Sequence, residues 1–288
     1  MIKKFLFLIA LSLLMMTVTA CQPRMRSMGA SVEPAPIVHR TTADSKESQV
    51  QLDVSGFYSM SNETENIDDL GALGGTGSVT FRLGGGASFI FFNASLAGFH
   101  GKLRFACTEE DCKDPDDSYY TPYRTWLQTR EGSERYSFTN LQERVLAGMD
   151  FNAGRFLILG FAAGVQMFQG GGEYDRMREY LGGDTVQVHV HYSDDDEDYL
   201  SVSSSIVRNA DDRYGFGVAA SAWVGFRLGE NSQYGNVSLE LSGFFKGWIS
   251  TWTNSWRLTY AHPTGFYGGA AWGDLLNYTV YAGKTFVF

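Results

Sequence analysis

Residues 214–228 decide the fold, and they read Tyr-Gly-Phe-Gly-Val-Ala-Ala-Ser-Ala-Trp-Val-Gly-Phe-Arg-Leu. One face of this segment carries Phe216, Val218, Ala220, Ala222, Val224 and Phe226. The opposite face carries Gly217, Ser221, Gly225 and Arg227. Successive side chains of a β-strand point to opposite faces, so this alternation predicts a strand with one apolar face and one face of small or polar residues.

The same period of two recurs in further segments at 50–58, 78–83, 87–96, 141–151, 157–167, 237–249 and 277–288. The connections between these segments alternate in length, and the long ones are 61–75, 101–140, 170–213 and 252–272. This pattern is typical of antiparallel up-and-down barrels of the bacterial outer membrane. We therefore predict an all-β transmembrane barrel of eight strands over residues 49–288, with the long loops extracellular and the N-terminus periplasmic.

A hairpin within the third long loop leaves a ten-stranded barrel open as an alternative. Residues 186–192 and 199–203 alternate on either side of the acidic run 194–198. The hairpin is expected to rise above the membrane, and the run to form a solvated tip or a surface for an extracellular partner. His189 and His191 share a strand face and are candidate metal ligands, but no third ligand is identifiable, so the metal stays undefined.

The polar face of the strands distinguishes a membrane barrel from a soluble, lipocalin-like barrel, in which the two faces are inverted. Alongside small residues it carries charges of both signs: Asp53, Arg82, Arg144, Asp150, Arg227, Glu240 and Lys246. Buried charges must pair, so we expect an ion-pair network that plugs a narrow lumen, with a narrow pore for small solutes as the alternative. An aromatic girdle is expected at Trp248, Trp252, Trp256 and Trp272.

The N-terminus indicates export. Two lysines precede an apolar run, and Val-Thr-Ala then stands before Cys21, which predicts a signal peptide over residues 1–20. The site suits ordinary signal peptidase and also resembles a lipobox, in which Cys21 would be acylated. Cys107 and Cys112 lie close together and are predicted to form a disulfide, which leaves Cys21 alone and favours lipidation. Residues 21–48 are predicted to be a periplasmic linker.

The chain ends on Tyr-Thr-Val-Tyr-Ala-Gly-Lys-Thr-Phe-Val-Phe at 278–288. This ending resembles the C-terminal strand of bacterial outer-membrane barrels, and the architecture is similar to that of the small OmpA-like and OmpX-like barrels. The resemblance implies that Phe286 and Phe288 are read by the barrel-assembly machinery. Lys284 departs from the pattern, because that position is usually apolar. Outer-membrane lipids and lipopolysaccharide are the other expected partners.

Composition narrows the function. The formal net charge of −9 argues against nucleic acid as a partner, because nucleic-acid binding requires a basic face. His100, His189, His191 and His262 lie in no recognisable catalytic motif. The sequence therefore predicts a non-enzymatic protein of the Gram-negative outer membrane, without a cofactor and with a structural or surface-interaction role. An outer-membrane enzyme is the least favoured alternative, after the narrow pore.

Overall fold

The computed structural model describes Met28 and residues 48–61, 67–84, 88–105, 135–182, 186–191, 197–202, 213–246, 251–273 and 276–288. Ten of the described strands form a closed antiparallel β-barrel. No helix among the described residues is both long and apolar enough to cross a membrane. The predicted all-β antiparallel barrel is confirmed.

The described elements comprise twelve strands and one α-helix. In chain order they are β1 (Gln49–Ser61), β2 (Ile67–Leu83), β3 (Ser88–Phe105), β4 (Tyr136–Ala153), β5 (Leu157–Gly172), α1 (Glu173–Gly182), β6 (Val186–His191), β7 (Glu197–Val202), β8 (Tyr214–Arg227), β9 (Asn236–Lys246), β10 (Thr251–Ala261), β11 (Phe266–Gly273) and β12 (Tyr278–Val287). The longest strands, β3 and β4, each have 18 residues.

Each barrel strand pairs with the barrel strands that precede and follow it along the chain, and β5 pairs directly with β8. Strand β12 closes the barrel against β1, in a register that runs from Gln51 opposite Val287 to Met60 opposite Tyr278. Backbone hydrogen bonds in both directions between Val50 and Phe288 extend this pairing. The first and last strands are therefore neighbours, as closure requires.

The barrel has two ends with different connections. At the terminal end, where Gln49 and Phe288 lie, the connections are 84–87, 154–156, 228–235 and 262–265. At the loop end the connections are 62–66, 106–135, 173–213, 247–250 and 274–277. The β4–β5 turn at the terminal end passes through Gly154 with φ of 86°, a conformation that favours glycine.

The preferred count of eight strands is wrong, and the alternative count of ten is right for a different reason from the one considered. The segment 252–272 forms β10 and β11 of the barrel wall instead of a loop. The hairpin of β6 and β7, which the ten-strand alternative invoked, forms a separate two-stranded sheet. Strand β2 also begins at Ile67, within the predicted loop 61–75.

The two faces of the wall differ as the alternation predicts. Large apolar side chains that are more than a third exposed point outward from the strands and form a belt around the barrel. We call this surface the outer belt. Inward positions carry a mixture of aromatic, small polar and charged side chains, and most of them are buried.

Candidate functional site

The lumen is the first candidate site, and the structure places the predicted charges there as follows. Asp53, Arg82, Arg144, Asp150, Arg227 and Glu240 are all buried, with at most 6% of each residue exposed. Lys246 lies at the loop-end terminus of β9 and is half-buried, with its Nζ 5.6 Å from the centre of the Phe168 ring. The residues come from five strands, and no single strand supplies more than two of them.

Arg82 and Asp150 form a close ion pair across the barrel interior. Arg82 Nη1 donates to Asp150 Oδ2 at 2.6 Å, and Trp223 Nε1 donates to the other carboxylate oxygen at 3.0 Å. Arg82 also lies 5.7 Å above the Phe91 ring, which itself packs 5.7 Å from Trp223. Charged hydrogen bonds and aromatic packing therefore fix Asp150 from two sides.

Asp53 is held by hydrogen bonds from neutral groups. Thr285 Oγ1 donates to Oδ1 at 2.5 Å and Gln51 Nε2 reaches the carboxylate at 2.9 Å. Ser78 Oγ donates to Oδ2 at 3.3 Å. Because these donors lie on β1, β2 and β12, the carboxylate ties together the three strands at which the barrel closes.

Glu240 forms a third polar cluster with β10. Ser242 Oγ donates to Glu240 Oε1 at 2.7 Å, and Arg257 Nη1 lies 3.5 Å from the same oxygen. Ser242 and Ser221 are also hydrogen-bonded to each other at 2.6 Å. Arg257 is 0% exposed, although the sequence pattern predicts a loop at this position.

Two further arginines, Arg227 and Arg144, lie in the lumen outside these three clusters. Arg227 Nη2 donates to Asn152 Oδ1 at 2.5 Å, which links β8 to the terminal end of β4. Arg144 is 2% exposed and stands opposite Ser95 and Gln166 in the strand register. The buried barrel interior thus combines four arginines with three carboxylates among the described residues.

Aromatic side chains fill the lumen towards the loop end. Phe57, Phe99 and Phe138 pack edge to face, with ring centres 5.8 and 6.2 Å apart, and Phe168 packs on Phe244 at 6.0 Å. A Cβ at Gly74 would stand 2.5 Å from both Phe57 and Phe99. Glycine at position 74 therefore leaves room for these two side chains.

Two further groups occupy the loop end and were not anticipated. Met28, from the predicted linker, is 1% exposed and its carbonyl accepts from Asn140 Nδ2 at 3.4 Å. In α1, Arg178 pairs with Asp175 at 3.1 Å and lies 6.0 Å from the Tyr174 ring. Burial raises the pKa of the Tyr174 hydroxyl. No pattern in the sequence marks Met28 as a buried residue.

The outer belt is the second candidate surface. Its members include Leu73, Phe81, Ile90, Phe92, Leu96, Val145, Phe161, Phe216, Val218, Phe226, Leu258, Phe266, Trp272, Val280 and Phe286. Trp256 and Trp272 of the predicted girdle are cross-strand partners in β10 and β11, whereas Trp248 and the side chain of Trp252 lie outside the described part of the chain. Lys284 Nζ sits 4.7 Å from the Phe266 ring and 5.4 Å from the Phe286 ring.

Several predicted residues fall outside the described structure. Cys21, Cys107 and Cys112 are among them, so the lipidation and the disulfide stay predictions. The backbone of His189 and His191 is part of β6, but their side chains are not described. Over the described residues, no group of three or more His, Cys, Asp or Glu side chains is placed to hold a metal ion.

No protein-family model and no curated protein sequence matches the chain. The outer membrane protein OprG from Pseudomonas aeruginosa is similar over 84% of this chain and 95% of its own, at 9% identity and a TM-score of 0.34. The beta domain of the Bordetella autotransporter Brka covers 84% and 99% at 11% identity and 0.35. The translocator domain of the autotransporter NalP from Neisseria meningitidis covers 85% and 88% at 11% and 0.34. At TM-scores below 0.5, these likenesses assign no function to the chain.

Proposed function

We propose that this chain is an outer-membrane β-barrel whose lumen is closed by its own side chains, and that it has a structural or surface-interaction role without enzymatic activity. The outer belt carries this proposal. Phe81, Phe92, Val145 and Phe216 are each 49–59% exposed, and they belong to a surface that encircles the barrel. Apolar surface on this scale is unfavourable in water, and it matches the lipid-facing band of a membrane barrel.

The filled interior supports a closed lumen. The ion pair of Arg82 with Asp150, the cluster around Glu240 and the aromatic layer near Phe99 lie at different heights in the barrel. One interior cavity, lined by Ile158, Trp223 and Thr259 among others, has a volume of only about 10 Å³. Such a cavity holds about one water molecule.

The loop asymmetry supports an orientation. The two longest connections, 106–135 and 173–213, both leave the loop end, and the N-terminal strand begins at the terminal end. Long extracellular loops and short periplasmic turns are the rule in such barrels. We therefore propose that the loop end is extracellular and that its acidic connections contact a partner at the cell surface.

The C-terminal strand supports recognition by the barrel-assembly machinery. Phe286 and Phe288 are 42% and 78% exposed, and they stand at the seam where β12 meets β1. Lys284 directs its ammonium group onto the Phe266 and Phe286 rings, so the charge lies against aromatic faces instead of bare hydrocarbon. The departure from the usual apolar pattern is therefore compatible with a lipid-facing position.

Single-channel conductance in planar bilayers tests the proposal. The refolded protein is compared with the Arg144→Ala variant, which shortens a buried lumen side chain and leaves both residues of the Arg82–Asp150 pair in the chain. We expect insertion without stable openings for both proteins. Stable openings in the unmodified protein, altered by Arg144→Ala, would instead establish the narrow-pore alternative. Folding is scored separately by heat-modifiable migration in gels, so that a barrel that fails to fold is not mistaken for one with a closed lumen.

A further inference from the structure

A pocket opens in the outward wall near the loop end, where β4, β5 and β8 run side by side. Its volume is about 390 Å³, within the range of small-molecule sites. The lining is apolar at Leu141, Met167, Tyr214 and Phe216 and polar at Glu143 and Gln169. The pocket belongs to the outer belt and is separate from the polar clusters of the lumen.

The back of the pocket depends on a glycine. A Cβ at Gly215 would come within 2.1 Å of the Phe168 ring, so the ring lies directly against the backbone of β8. On its inner side the same ring packs on Phe244 and faces the ammonium group of Lys246. The back wall is therefore fixed by lumen packing.

Glu143 is the feature that gives the pocket a chemical preference. It stands on the outward face of β4 between Leu141 and Val145, and its register partners are Leu96 and Met167. Its carboxylate has no hydrogen bond or ion pair to any described residue. An acidic side chain on the lipid face of a barrel is unfavourable, and ionisable groups at such depths usually serve a function.

We propose that this pocket binds a cationic amphiphile from the membrane, a single-chain alkylammonium whose positive head group pairs with Glu143. The apolar chain would lie along Met167 and Phe216, both of which are exposed to the outside. Tyr214 is 67% exposed beside the pocket and offers an aromatic face to the ammonium group. An aromatic face and a carboxylate both attract an ammonium group. The inference rests on the proposed membrane placement of the outer belt.

The test uses the full barrel in nanodiscs of phosphatidylcholine. The probe is a dodecylammonium that carries a nitroxide spin label, and the comparison probe is a neutral spin-labelled dodecyl ester. Electron paramagnetic resonance measures the immobilised fraction of each probe. We expect the ammonium probe to bind at least about tenfold more tightly than the neutral ester, the equivalent of about 1.4 kcal/mol.

Variants at the pocket separate the charge from the shape. Glu143→Gln keeps the size of the side chain and is expected to abolish the preference for the ammonium probe while leaving the ester unchanged. Tyr214→Phe keeps the ring and is expected to bind both probes like the unmodified protein. Tyr214→Ala is expected to weaken binding of the ammonium probe. Heat-modifiable migration confirms that each variant is folded.

Either of two results overturns the inference: equal binding of both probes, or unchanged ammonium binding in Glu143→Gln. A barrel that does not enter nanodiscs would contradict the proposed membrane placement instead. A folded barrel that enters nanodiscs but shows no charge preference contradicts only the pocket proposal.

Discussion

The two faces of β4 show how one strand meets two opposite environments. The inward face presents Gln142, Arg144 and Asp150, which are at most 2% exposed, and the outward face presents Val145 at 54%. A shift of register by one residue would move the charges to the outer belt and the apolar residues into the lumen. The polar pairing inside and the apolar belt outside therefore favour the same register. Substitutions on the two faces should destabilise the barrel for different reasons.

The largest loss of stability is expected when the buried ion pair of Arg82 and Asp150 is broken. Asp150→Ala leaves Arg82 buried without its closest carboxylate and Trp223 Nε1 without its acceptor, and removing one partner of a buried pair costs about 3–5 kcal/mol. Urea unfolding in detergent measures the loss. Asp150→Asn is the matched control, because it can still accept from Trp223; a variant with alanine that is as stable as the asparagine variant would contradict this interpretation.

A charge on the outward face should cost somewhat less. Val145→Lys places an ammonium group in the outer belt, and lysine on the lipid face of a membrane barrel costs about 2–4 kcal/mol near the midplane. The folded fraction in lipid vesicles over a urea series gives the difference. Val145→Leu should be nearly neutral. Equal stability of the lysine and leucine variants would argue that this face meets water.

Tight packing inside the lumen predicts a smaller loss of stability for a substitution at Gly160. In Gly160→Ala the new Cβ would stand 2.3 Å from the Trp223 ring, and such overpacking typically costs about 1–3 kcal/mol. Gly77→Ala is the control, because nothing lies within 4 Å of a Cβ at that position. Tryptophan fluorescence should report a displaced Trp223 in the first variant only; a matching spectrum in both variants would count against the tight packing.

The smallest effect is expected at a neutral hydrogen bond. Ser242→Ala removes the donor to Glu240 and the bond to Ser221, and we expect a loss of about 1–2 kcal/mol. Chemical unfolding measures it. Ser221→Ala serves as the control, because it removes the bond between the serines and keeps the Glu240 donor, so it should be less destabilising.

Two hairpins show what the sequence could predict and what it could not. Residues 186–203 alternate strongly, yet among the described strands β6 and β7 pair only with each other, because periodicity does not specify which strands a segment joins. Strand β11 reads Phe-Tyr-Gly-Gly-Ala-Ala-Trp-Gly and has almost no alternation, yet it pairs with β10 and β12. Its small residues leave room for Tyr281, whose hydroxyl lies 2.6 Å from where a Cβ on Gly269 would be.

The candidate sites were predictable to a similar extent. Charged residues such as Asp53 and Arg82 lie on clearly alternating strands, so the alternation alone was enough to assign them to the inward face. Arg257 could not be assigned in this way, because its strand was interpreted as a loop, although Thr253, Ser255 and Thr259 share its strand face. Glu143 lies two residues before Val145 and therefore shares its strand face. A charged residue on this otherwise apolar face was the sequence feature that could have indicated the wall pocket.

A spin-label scan along β8 tests the central claim most directly. Single cysteines replace residues 216–226 one at a time, after the three native cysteines have been changed to serine. In lipid bilayers we expect labels at outward positions such as Val218 to collide with oxygen, whereas labels at inward positions such as Ser221 are shielded from both oxygen and a water-soluble nickel complex. Inward labels that collide freely with the nickel complex would show an open, water-filled lumen. Outward labels that prefer the nickel complex to oxygen would show that the outer belt does not meet lipid.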